Sequence, residues 1–174
     1  MKQDVDIATV LKVNQQMNNN ELYMREAYKE ALKAYKKNEV PIGCVIVRND
    51  KIIARAHNLR NTKKNSLYHA EVLAINKACK KLKRWILDDC TLYVTMEPCV
   101  MCAGSIIQAR IKKVVYGIPQ NRYGCVGTLV NLFTDYEFNN SPEFEKGVME
   151  IQIKELVNKF FSELRTRKKE KNED

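Results

Sequence analysis

His69, Glu71, Cys99 and Cys102 are the residues whose types and spacing could do chemistry in this chain. His69-Ala70-Glu71 is followed about thirty residues later by Pro98-Cys99-Val100-Met101-Cys102. One imidazole and two thiolates can hold a zinc ion and leave its fourth tetrahedral position to water, whereas a structural zinc fills all four positions with protein. Neutral histidine and two thiolates cancel the charge of the ion, so water held there ionises near neutral pH. Glu71, beside the histidine but free of the metal, is then placed to accept and return protons. That inventory fits hydrolytic deamination of a nucleobase, with Glu71 as the acid/base. Two plainer readings stand beside it. Glu71 could only stabilise a helix N-terminus, or the zinc site could be closed by His57 or by Cys44, Cys79, Cys90 or Cys125. None of those four cysteines forms a second paired motif, and an isolated cysteine usually behaves as a small hydrophobe.

The elements that must position these groups can be read from periodicity. Residues 44–48 form a strand, 51–56 its hairpin partner and Asn49-Asp50 the turn. Residues 70–78 have helical spacing, so His69 stands at a helix start. Residues 91–95 make another strand, and Pro98 is expected to be the first residue of a helix carrying Cys99 and Cys102. The metal site would thus lie between two helix N-termini, whose dipoles favour anionic sulfur. An earlier helix over 21–37 offers Leu22, Ala27, Ala31 and Ala34 for packing. A last helix carries Met149, Ile153, Leu156, Val157, Phe160 and Leu164 on one face, with Phe161 and Arg165 together on an adjoining one.

A length of 174 residues and 45% hydrophobic content suit one globular domain with a sizeable core. No run approaches the ~20 apolar residues of a membrane span. The N-terminus has early acids and no hydrophobic signal core, so secretion is not expected. Six cysteines without a disulfide-like pattern suit a reducing cytoplasm. Residues 1–20, with their polar stretch 14–20, read as a flexible arm ahead of a single domain over 21–174; a short docking helix through Ile7, Val10, Leu11 and Val13 is the alternative. The net charge of +9 gathers in two clusters, Lys80, Lys81, Lys83 and Arg84, and Arg165, Arg167, Lys168, Lys169 and Lys171. Either could be a solvated helix end, but beside a base-modifying site a basic surface fits polyanionic RNA better than a free base.

On these residues the chain resembles the cytidine and deoxycytidylate deaminase superfamily, and more narrowly the bacterial tRNA-specific adenosine deaminases of the TadA type. The resemblance runs from about Glu21 to the C-terminus. It includes Val40-Pro41-Ile42-Gly43-Cys44-Val45, Ala56-His57-Asn58-Leu59-Arg60, Leu92-Tyr93-Val94-Thr95-Met96-Glu97-Pro98-Cys99, Val114-Val115-Tyr116-Gly117, Gly127-Thr128-Leu129-Val130-Asn131-Leu132 and Phe160-Phe161-Ser162-Glu163-Leu164-Arg165. The histidine–glutamate and paired-cysteine motifs mark only the superfamily; the flanking segments point to the tRNA branch. One segment, Pro119-Gln120-Asn121-Arg122-Tyr123-Gly124, departs by lacking an acidic residue common there in bacterial members.

The resemblance implies a three-layer α/β/α domain around a mixed five-stranded sheet, usually a homodimer with one zinc per subunit. It implies zinc-dependent hydrolysis of adenosine to inosine at the wobble position of a tRNA anticodon, chiefly in an arginine tRNA. His69, Cys99 and Cys102 would hold the metal and Glu71 would be catalytic. Asn58 would contact the nucleoside, and Phe161 and Arg165 the anticodon loop. The alternative with the same chemistry is a metabolic deaminase of a free base or nucleoside such as guanine, cytosine or cytidine. A noncatalytic tRNA-binding subunit is the third option, against which Glu71 speaks. Adjacent His57 is expected in a supporting or packing role, and Glu97 at the strand-to-helix turn.

Overall fold

The computed structural model describes residues 7–170. Its elements run α1 (Ile7–Lys36), β1 (Gly43–Arg48), β2 (Lys51–His57), α2 (Arg60–Lys63), α3 (Ala70–Leu82), β3 (Thr91–Met96), α4 (Val100–Gln108), β4 (Lys113–Ile118), β5 (Glu143–Lys146) and α5 (Glu150–Glu170). The strands form one sheet in the order β2-β1-β3-β4-β5. β1 is antiparallel to both β2 and β3, while β3, β4 and β5 run parallel.

Strand alternation builds three layers. Cys44 and Ile46 of β1, Leu92 and Val94 of β3 and Val114 and Tyr116 of β4 pack with Ala70, Ala74 and Ala78 of α3 and Ala103 and Ile106 of α4. The residues between them, Val45, Val47, Tyr93 and Val115, face Met24 and Ala27 of α1 and Ile153 and Val157 of α5. Both faces of the sheet are therefore covered, as parallel strands require. Each large aliphatic side chain fully buried in this way contributes about 1.5–3 kcal/mol. Small residues set the spacing: a Cβ on Gly43 would overlap the Ala27 carbonyl oxygen, so glycine lets α1 lie directly on β1.

The hairpin forms where the sequence predicts it. Asn49 and Asp50 take positive φ angles of 48° and 57°, the backbone a two-residue turn needs to match strand twist. This reversal, together with the parallel β3–α4–β4 unit, brings four chain segments to one edge of the sheet. Gly43 pairs with His57, its amide donates to Thr95 Oγ1 at 3.1 Å, and Met96 pairs with Ile118. The start of β1 and the ends of β2, β3 and β4 thus meet, and Asn58, Glu97 and Pro119 follow directly. The carboxyl ends of parallel strands are the usual ligand crevice of open α/β sheets.

Three expectations change. Pro98 does not begin α4: the helix starts at Val100, and Cys99 is its extended N-cap residue, with φ −76° and ψ 175°. The reason is local pairing, because Cys99 bridges Gly124 and the Pro98 carbonyl accepts the Cys125 amide at 3.0 Å. The polar run 14–20 is not a separate coil but part of α1, and from Ile7 onward the expected arm is helical; Met1 to Asp6 lie outside the described residues. Asn20 anchors that helix. It is 1% exposed, its Nδ2 donates to Glu145 Oε2 at 2.8 Å, and its Oδ1 accepts from the Tyr93 hydroxyl at 2.9 Å. Periodicity also predicts neither β4 nor β5; the Glu-Phe-Glu-Lys sequence of β5 is that of a charged edge strand paired only with β4.

Candidate active site

His69 and Cys99 are the N-cap residues of α3 and α4, and Cys102 lies in the first turn of α4. His69 does not cap its own helix with its side chain. Instead Asn58, buried at the end of β2, accepts the Ala70 amide on Oδ1 at 3.0 Å, which fixes the helix start that carries His69 and Glu71. The imidazole is thereby left free to face sulfur.

His69 Nδ1 lies 3.7 Å from Cys99 Sγ and 3.5 Å from Cys102 Sγ. All three donor atoms fall within 4.8 Å of one another, and among the described residues no other histidine, cysteine or carboxylate joins them. Ligand distances of about 2.3 Å for sulfur and about 2.0 Å for nitrogen place donors about 3.6 Å apart along a tetrahedral edge. The observed spacing fits that edge, so this group could hold a metal ion. Cys44, Cys79, Cys90, Cys125 and His57 do not close the site. His57 is turned away, with Nδ1 2.9 Å from Glu30 Oε2 and Nε2 3.1 Å from Lys37 Nζ.

The electrostatics favour anionic sulfur opposed to a reluctant carboxylate. Hydrogen bonding from Cys102, then from His69, outweighs burial and brings the Cys99 thiol down to about 4. The Cys102 thiol is pushed up because it holds the proton shared with Cys99 and is buried. The His69 imidazole is raised, chiefly by its bond to Cys99. Burial lifts the Glu71 carboxyl to about 7. Glu71 is 3% exposed, and its Oε2 has no hydrogen-bond partner. A buried carboxylate oxygen without a partner is costly unless something in the working site engages it.

These groups open on a groove of about 1180 Å³. Asn58, His69, Glu71 and Cys99 line it, as do Phe161 and Arg165, while Cys102 is buried behind the lining. Phe161 is 38% exposed and packs edge-on to Phe160 at 5.4 Å between centroids, so its ring is presented to the groove and not sunk in the core. The core face of α5 is carried by Ile153, Leu156, Val157 and Phe160. Lys154 and Asn158 also line the groove and complete a helical stripe with Phe161 and Arg165. Their spacing of 154, 158, 161 and 165 is a helical signal present in the sequence, where Phe161 and Arg165 are its expected members and Lys154 and Asn158 extend it. Lys80, Lys81, Lys83 and Arg84 line no part of the groove. They occupy the other end of α3, where Lys83 closes the helix at φ 53° and Arg84 pairs with Asp88 and Asp89.

The MafB19-like deaminase family matches residues 18–165. A tRNA-specific adenosine deaminase of Bacillus subtilis (strain 168) is 52% identical over 153 residues, covering 88% of this chain and 95% of that protein. This chain belongs to the tRNA-specific adenosine deaminase family. A solved structure from a study of A-to-I editing by tRNA:A34 deaminases at the wobble position of transfer RNA superposes on the deaminase with a TM-score of 0.74. The two are 36% identical, over 76% of this chain and 96% of that one. A guanine deaminase structure from Bacillus subtilis is 35% identical, with a TM-score of 0.56 over 72% of this chain and 83% of that one. The mixed five-stranded sheet between helical layers is accordingly the cytidine-deaminase-like fold.

Proposed function

We propose that the deaminase hydrolyses adenosine to inosine at the wobble position of a tRNA anticodon, chiefly in an arginine tRNA, with zinc as its metal. One observation carries the reading: a single groove joins the His69–Cys99–Cys102 donor group and Glu71, one of whose carboxylate oxygens has no partner, to Phe161 and Arg165 on α5. His69, Cys99 and Cys102 would hold the ion, and two thiolates with one imidazole suit zinc. When bound, zinc supplies Lewis acidity that makes water a competent nucleophile near neutral pH.

The remaining steps fall to the protein. Glu71 takes a proton from the attacking water, delivers it to ring nitrogen 1 as attack on carbon 6 proceeds, and carries the next proton to the departing amino group. A carboxyl held near neutrality by burial is suited to both directions of transfer. Asn58 Oδ1 is committed to Ala70, leaving Nδ2 to donate to the bound nucleoside. The positive ends of α3 and α4 favour negative charge developing beside Cys99 and His69. On the groove wall Phe161 can stack on an unpaired base, and Lys154 and Arg165 can take phosphates.

A free-base deaminase is the second reading, favoured by the 35% identity to guanine deaminase. The groove argues for RNA. Its volume of about 1180 Å³ exceeds what a single base fills, and its α5 wall carries Phe161, Lys154 and Arg165, with Glu150 as the one acidic member. We further propose that the deaminase is a homodimer and that it acts in the cytoplasm, a reducing compartment that suits the free cysteines of the described residues. Incubating the purified protein with total tRNA and, separately, with adenosine, cytidine and guanine tests the assignment. Inosine confined to the wobble position is the expected result; turnover of a free base alone would replace it with the second reading.

A further inference from the structure

Glu97 follows β3 and is 3% exposed, yet no lysine, arginine or histidine among the described residues pairs with it. Its charge is met by the backbone of one segment. Oε1 accepts the amides of Val126 at 2.9 Å and Thr128 at 3.0 Å; Oε2 accepts the Gln120 amide at 2.9 Å and the Thr128 hydroxyl. The Glu97 amide meanwhile donates to the Ile118 carbonyl at 2.9 Å, fixing the base of the side chain to the end of β4. A Cβ on Gly124 would overlap this carboxylate and the Gln120 carbonyl oxygen, so the segment closes around the anion only because residue 124 is glycine. The enclosed segment contains groove-lining residues Gln120, Asn121, Arg122 and Tyr123, and Gly124 bridges the metal-donor residue Cys99.

We infer that Glu97 is a positioning residue for substrate: its carboxylate clasps the segment from Gln120 to Thr128 and so sets the groove wall that RNA must meet. The inference rests on the RNA reading of the site. Its chemistry is specific about which end of the clasp needs the anion. In Glu97→Gln the carboxamide has one acceptor oxygen for two pairs of donors. If oxygen stays at the Oε1 position it keeps the Val126 and Thr128 amides, and the Thr128 hydroxyl can rotate to accept from the new NH2. The Gln120 amide cannot rotate, and it is left facing another donor. The substitution therefore unhooks the groove-wall end and spares the other.

The test combines steady-state kinetics on an anticodon stem–loop RNA, metal content, and amide hydrogen exchange on the purified zinc-loaded protein. In Glu97→Gln, KM is expected to rise about tenfold with kcat changed less than about twofold, the cost of one unsatisfied amide at the wall appearing in binding. Metal content should be unchanged, and exchange should accelerate at Gln120 well beyond Val126 and Thr128. Gly124→Ala, which presses on the same carboxylate, should raise KM likewise, and the double variant should cost less than the product of the two. Unchanged KM in both single variants, or unchanged exchange at Gln120, would overturn the inference, as would a loss of thermal stability with no change in KM. Should Glu97→Gln not fold, Gly124→Ala carries the same kinetic and exchange readouts. A wild-type protein inactive on RNA would instead refute the functional reading, while the exchange measurement would still judge the clasp.

Discussion

The two ends of α3 are about 20 Å apart along one helix and differ in every respect that bears on function. At its start, half-buried His69 faces Cys99 and Cys102, and Glu71 is buried with a carboxylate oxygen that has no partner. At its end, Lys80, Lys81 and Lys83 are exposed, and the residues around them satisfy one another, Arg84 with Asp88 and Asp89 and Arg48 with Asp89. The dipole of the helix explains both placements, since acids and anionic ligands belong at its start and cations at its end. What separates a working site from a solvated end is the groove. Of the second basic cluster Arg165 lies on that groove, joined there by Lys154, and these two are the cationic surface assigned to RNA; Arg167, Lys168 and Lys169 line no part of it, and Lys171 lies outside the described residues.

That contrast can be broken most severely at the start of the helix. Stripping the metal with a chelator, or replacing Cys102 by Ala, should abolish inosine formation on tRNA, with zinc restoring activity only to the stripped wild type; full turnover without metal would remove the donor group from the mechanism. A smaller effect belongs to the groove wall. Arg165→Ala should raise KM for tRNA several-fold and lower the salt slope of binding by about 1, as loss of one phosphate contact does; normal affinity with an unaltered slope would take Arg165 out of the interface. At the far end of α3, a combined Lys80→Ala and Lys81→Ala protein should keep KM within about twofold, because these side chains reach no part of the groove. A large loss there would mean that RNA also contacts this end.

The smallest effect concerns pH. Burial raises the Asp89 carboxyl, but hydrogen bonds from Arg48 and Cys90 and the charges of Arg48 and Arg84 outweigh it and leave Asp89 below its ordinary value. A depressed carboxyl contributes stability above its unfolded pKa of about 3.9 and loses it as pH falls through the folded value. The melting difference between wild type and Asp89→Asn should therefore be slight at neutral pH and vanish in stronger acid, with deamination unaffected. A difference that grew on acidification would reverse the sign.

How much of this was legible beforehand follows from where each residue gets its meaning. His69, Cys99 and Cys102 are readable as a donor group because metal-ligand chemistry restricts residue type and spacing along the chain, and Glu71 because an acid/base must stand beside that group without joining it. The β1–β2 hairpin is readable because Asn49-Asp50 tolerates the left-handed backbone such a turn needs. Asn20 misled because a run of polar amides looks like coil, and only the sheet edge supplied by Tyr93 and Glu145 makes it an anchor. β5 carries no alternating apolar signal. Glu97 was expected at a turn, but its carboxylate serves a segment more than twenty residues later, a relation that depends on how β3 and β4 lie side by side. Pairings of that kind arise from tertiary geometry and leave little local pattern.

The central claim is that Glu71 moves protons beside a metal held by His69, Cys99 and Cys102. Glu71→Gln tests it most directly, since it keeps the size of the side chain and removes the exchangeable carboxyl. With metal content equal to wild type, inosine formation at the tRNA wobble position should fall by at least about 10²-fold to 10⁴-fold, with tRNA affinity little changed. Near-normal turnover by a metal-loaded Glu71→Gln protein would contradict it.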